Sequence, residues 1–175
     1  MIKGKHLIAG EWVSGDTSFE SSPATGAPKV FWNGTTELVD QAVRAAEDAF
    51  GSFGSMPRAE RAAFIERIAV EIEARGDDLT EIAMSESGLP KMRLEGERGR
   101  TVAQLRMFAD HIVQGDYLDR RHVEALPDRE PMPRPDLFLV MRPMGPVAVF
   151  GAPSCPDSLV EGDAARGALR ESYRA

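Results

Sequence analysis

The sequence is short of cysteine: Cys155 is the only one in 175 residues. That count excludes an internal disulfide framework and any multi-cysteine zinc site. A lone thiol fits a reducing compartment. Long apolar runs are also missing. The N-terminal stretch MIKGKHLIAGEWV is broken by Gly10 and Glu11 and lacks the form of a signal peptide. No stretch approaches the roughly 18 apolar residues of a spanning helix, so the chain reads as cytoplasmic and off the membrane. Histidine is scarce. His6, His111 and His122 are scattered without metal-ligand spacing and read as surface or packing residues. Positive charge is in deficit, with 21 Lys and Arg against 28 Asp and Glu, a formal net charge of −7. Nucleic-acid binding needs clustered cations to neutralise phosphates, and the short Arg120-Arg121-His122 cluster is offset by nearby acids. Neither internal repeats, nor a G-x-G-x-x-G fingerprint, nor a Walker-type loop occurs.

What is present is an ordinary globular balance, 42% apolar and 28% charged. The length suffices for one sizeable core. KHLIAGEWVSGD reads as two short strands around Ala9-Gly10, with Gly15-Asp16 as the next turn. Pro23, Gly26 and Pro28 mark SSPATGAPKVF as turn and extended chain. A helix is expected from Thr36, read as its N-cap, and GSFGSMP is expected to end it. Its apolar face is Leu38, Val39, Ala42, Val43, Ala46, Ala49 and Phe50.

The next helix, roughly 58–75, starts behind Pro57 and carries a buried stripe of Phe64, Ile65, Ile68, Ala69 and Ile72. Gly76 is expected to stop it, and Asp77 to cap a third helix with Leu79, Ile82 and Ala83. SGLPK breaks that one. A fourth runs from about Leu94 to Val113, its face formed by Val102, Leu105, Phe108, Ala109 and Ile112. Gly96 and Gly99 weaken its front half and suggest close packing there.

Then the character changes. Pro131, Pro133 and Pro135 alternate, which suits extended chain and resists helix and central strand. Leu137 to Met141 reads as a strand. GPVAVFG reads as a short strand buried on both faces. After Gly151 the pattern fades, although Leu159, Val160, Ala164, Ala168 and Leu169 fit a short amphipathic helix weakened by Gly162 and Gly167.

The ordered set IAGEWV, PATG, VDQAVRAAEDAF, RAERAAFIERIAVEIEARGDDLTEIA, SGLP, LEGERGRT, LRMFADHI and RPMGPVAVFGA resembles the N-terminal part of the NAD(P)-dependent aldehyde dehydrogenase superfamily. GKHLIAGEWV, GDYLDRRHVEALPDREPMPRPDL and RPMGPVAVFGA are most similar to its 2-oxoglutarate semialdehyde (2,5-dioxovalerate) dehydrogenase branch. The resemblance covers Met1 to Ala152. It implies an α/β fold, here the N-terminal portion: hairpin, helical layer, oligomerisation ribbon at about 116–141, and first strand of the cofactor domain. On that reading 1–152 is the family-like region and 153–175 a divergent tail.

The resemblance also implies an activity for the complete enzyme. A cysteine thiolate attacks the aldehyde, hydride passes to NAD or NADP, and a glutamate-activated water releases the acid. The family's Asn-Phe-Pro triplet falls on Ser154, Cys155 and Pro156. Ser154 thus stands at the oxyanion Asn position, where a short rotating hydroxyl replaces a longer amide donor. The segment placed near the cofactor is Phe150, Gly151, Ala152, Pro153 and Ser154, at the carboxyl end of the GPVAVFG strand. The resemblance puts the catalytic Cys and Glu in later segments, so no catalytic residue is assigned here.

Cys155 itself precedes a possible helix, which favours a thiolate, but Asp157 and Glu161 oppose it. It reads as an incidental residue. Glu86, Lys91, Glu95 and Glu97 read as helix-end and ion-pair residues, and Trp12 and Trp32 as packing residues.

Two roles follow. In the first, the chain is a truncated, fragmentary or frameshifted aldehyde dehydrogenase, inactive and without bound NAD(P) by itself, with the aldehyde as substrate of the complete enzyme. In the second, it is a non-catalytic protein whose ribbon pairs with a full-length relative, or with a further copy as a homo-oligomer.

Overall fold

The computed structural model describes residues 3–150. The chain opens with two antiparallel pairs: β1 (His6–Ile8) with β2 (Glu11–Val13), then β3 (Ser18–Glu20) with β4 (Val30–Trp32). The first pair turns at Ala9-Gly10, both at positive φ, as the sequence predicts. The extended loop between β3 and β4 docks on the end of the third helix. Ala24 and Thr25 donate their amides to the carbonyls of Glu86 and Ser85, at 3.3 and 3.0 Å.

Four helices follow: α1 (Thr36–Ser55), α2 (Arg58–Ala74), α3 (Gly76–Ser87) and α4 (Lys91–Gln114). The cap of α1 is Thr35, not Thr36. Thr35 is extended, at φ −110° and ψ 165°, and its hydroxyl accepts from the Leu38 amide at 3.3 Å. The helix runs through Gly51 and Gly54 and ends at Ser55, inside GSFGSMP as expected. Phe53 packs edge-on against Phe64 of α2 at 5.8 Å, a contact that offsets the poor propensity of two glycines. α3 begins at Gly76 itself, so Asp77 sits inside the first turn near the positive end of the helix dipole and is not the cap. α4 starts three residues earlier than expected, directly after Pro90.

The core is the seam between α2 and α4. Ala62, Ile65, Ala69 and Ile72 face Val102, Leu105, Ala109 and Ile112. Both sets step by three, four and three residues, so two narrow stripes mesh along their length. Ala69 is fully buried, and three alanines let the backbones come close. Phe64, expected in this stripe, is 53% exposed: it lies to one side of the seam and meets Phe53. Ile68 and Phe108 flank the seam, half-buried. Gly96 and Gly99 have open space where a Cβ would stand, so they do not mark a close helix contact.

Polar ties lock the seam at both ends. Arg58, opening α2, donates to the Val113 and Gln114 carbonyls at 3.1 Å each, covering the end of α4. Arg98 of α4 reaches the Gly76 carbonyl and Thr80 hydroxyl at the start of α3. Midway, Arg106 grips both carboxylate oxygens of Glu73 at 2.7 and 2.9 Å and Glu66 at 3.0 Å. These bonds hold the Glu73 carboxyl below its ordinary value. A depressed folded-state value contributes stability above the unfolded carboxylate range, lost as pH falls through the folded value; Arg106 stays charged throughout. Replacing Arg106 by Gln is therefore expected to move the Glu73 titration midpoint upward. Carboxyl-detected NMR against pH measures this, and an unchanged midpoint would refute the tie.

Past α4, a 3-10 turn at Asp116–Leu118 leads into a two-stranded ribbon, β5 (Arg121–Val123) with β6 (Leu137–Leu139). β6 is shorter than the expected run to Met141. The Met141 amide leaves the ladder and donates to the Leu118 carbonyl at 2.9 Å. The alternating prolines fall between the strands, where no ladder donor is needed: Pro131 and Pro133 lie beyond an isolated bridge between Leu126 and Arg134, and Pro135 between that bridge and β6.

Candidate functional site

The sequence places its cofactor-facing residues at the end of GPVAVFG. In the structure, 146–150 has no strand ladder, and Val147, Val149 and Phe150 are exposed, Phe150 at 92%. The doubly buried strand is thus corrected. An apolar segment becomes a strand only against neighbours that pair with its amides and carbonyls, and among the described residues none does. The segment enters through Gly145, beside Glu47 of α1, whose carboxylate lies 4.0 Å from the position a Cβ would take. Gly151, Ala152, Pro153, Ser154 and Cys155 lie outside the described residues.

The remaining polar candidates fall where the sequence puts them, on helix ends and ion pairs. Glu86 binds Lys29 at 3.2 Å and Ser21 at 3.4 Å, pinning the β3–β4 loop to α3. Lys91 pairs with Glu95 at 3.7 Å, and Glu97 pairs with Arg100. Lys91 and Glu95 thus meet only each other, while Glu86 and Glu97 pair with other partners. The histidines are dispersed: His6 on β1, His111 on α4 with its ring 5.8 Å from Tyr117, and His122 on β5. Among the described residues no group of three His, Cys, Asp or Glu is placed to hold a metal ion. Trp32 is half-buried as a packing residue should be, but Trp12 is 45% exposed and carries the Lys3 ammonium over its ring at 4.5 Å.

The ribbon is the other candidate surface. His122 stacks flat on Phe138 across the strand pair, 4.2 Å between centroids, and its Nε2 lies 2.8 Å from Asp136 Oδ1. Arg121 donates twice to Asp119, which holds that carboxyl below its ordinary value. Arg121 and His122 thus find partners close by in Asp119 and Asp136, while Leu137, Phe138 and Leu139 stay exposed. A two-stranded ribbon leaves each strand one unpaired edge.

Arg58, Arg98 and Arg106 are the structural ties that sequence reasoning missed. Arg98 had a readable signal: it falls on the period of Leu94, Val102, Leu105, Ala109 and Ile112, a charged residue on a buried stripe.

Comparison with known proteins gives this arrangement its class. The aldehyde dehydrogenase family model matches residues 12–160, and the chain belongs to that family. Within it, the chain is 45% identical over 160 residues to alpha-ketoglutaric semialdehyde dehydrogenase 2 of Azospirillum brasilense, covering 89% of this chain and 30% of that protein. It is 42% identical over 157 residues to alpha-ketoglutaric semialdehyde dehydrogenase of Acinetobacter baylyi, again covering 30% of the relative and 87% of this chain. Among solved structures, an NAD-dependent benzaldehyde dehydrogenase from Corynebacterium glutamicum superposes with a TM-score of 0.64 at 25% identity, over 71% of this chain and 28% of that one. The chain therefore spans about 30% of the length of the curated relatives it matches. Its hairpins, helical layer and ribbon are part of the α/β aldehyde dehydrogenase fold, and its resemblance to the 2-oxoglutarate semialdehyde branch holds. Among the described residues no helix is long and apolar enough to cross a membrane.

Proposed function

We propose that this chain supplies the N-terminal part of an NAD(P)-dependent dehydrogenase that oxidises 2-oxoglutarate semialdehyde to its carboxylate. The observation that carries the reading is the identity of 45% and 42% to two alpha-ketoglutaric semialdehyde dehydrogenases over nearly the whole chain. In this reading 1–152 is the family-like scaffold and 153–175 departs from it. Phe150 to Ser154 faces the cofactor, and Ser154 stands in for the oxyanion amide with a shorter donor.

The described residues do not fit a dinucleotide by themselves. They offer one open wall, the extended 146–150 chain, and the sequence has no glycine-rich phosphate loop. What these residues do is hold a frame: the α2–α4 seam fixes the helical layer, Glu86 pins the loop, and the ribbon projects from the end of α4. Oxidation of an aldehyde requires a hydride acceptor and the oxygen of a water, and a nucleophile to present the carbon to both. The one thiol in the sequence, Cys155, has Asp157 and Glu161 close by, which oppose thiolate formation.

The 175 residues expressed alone are therefore expected to form no NAD(P)H from 2-oxoglutarate semialdehyde, followed by near-ultraviolet absorbance. Steady turnover, abolished by Cys155→Ser, would overturn this assignment of inactivity.

A second reading rests on the ribbon, where Phe138 is 74% exposed beside unpaired strand edges. Here the chain adds its ribbon to the sheet of a complete aldehyde dehydrogenase, or of a further copy, by backbone pairing. Co-purification with a co-expressed full-length relative is the expected result, lost on Phe138→Asp. Recovery of the chain only as monomer, with the relative present in excess, would sink the idea.

A further inference from the structure

We draw no further inference here: the strongest candidate, the exposed apolar stripe of α1 around Val39 and Val43, is an unpartnered face, and nothing in the structure shows what covers it.

Discussion

Replacing Leu105 by alanine is expected to lower the unfolding free energy by about 2–5 kcal/mol. Leu105 is 3% exposed and sits in the middle of the α2–α4 seam. Truncation removes apolar area from the only continuous core among the described residues. It also leaves a cavity that two locked helices cannot close, because Arg58 and Arg106 hold their spacing. Domains are stable by only about 5–15 kcal/mol, so this one change removes a large share. Urea unfolding followed by helical circular dichroism measures it. Phe64→Ala is the contrast: Phe64 is half exposed, so its loss is expected to cost clearly less. Equal losses at the two positions would mean that the seam is not the core.

Gly115→Ala is the second large effect. Gly115 ends α4 at φ +80°, in the left-handed region, and its amide closes the helix by donating to the His111 carbonyl at 3.1 Å. An L-residue there costs roughly 1–2 kcal/mol in backbone energy alone. The structure adds a second cost, since the new Cβ would overlap Arg58 Nη1. Arg58 must then leave the Val113 and Gln114 carbonyls that it caps. The expected result is a drop in melting temperature well beyond that of Gly96→Ala, which has open space around its Cβ and gains helix propensity. In the Arg58→Ala background the penalty at Gly115 should shrink toward the backbone cost. A penalty unchanged in that background would show that the two residues do not compete.

The helical layer was legible in the sequence because its signal is local. The run of apolar residues at helical spacing places α2 and α4 within a few residues of their observed ends. The same rule misassigned Phe64. A 3.6-residue period describes a broad stripe, whereas two long helices in contact use a narrower one, and Phe64 falls at its margin. Thr35 and Thr36 are chemically equivalent caps, and only backbone geometry chooses between them. The strand expected at GPVAVFG failed for a different reason. Its amides and carbonyls need partners from distant sequence, and a local apolar run says nothing about whether those partners are there. The candidate site shares that dependence. Phe150 is the only one of its five proposed residues within the described chain, and it stands open at the end of an unpaired segment. Arg98 was missed because a charged side chain on a buried face is read as an error in the pattern, when here it is the link between two helices.

The seam also sets an order in time. Every residue of it lies between Ala62 and Ile112, and the ribbon's second strand begins only at Leu137. A ribosome adding roughly 5–20 residues per second needs on the order of one to five seconds to make the intervening chain. Helices form in about a microsecond. The core can therefore close around its own contacts before the ribbon exists in complete form. When Leu137 to Leu139 arrive, the α2–α4 seam is already filled by its own residues, and the strand they pair with is Arg121–Val123, already waiting past the end of α4.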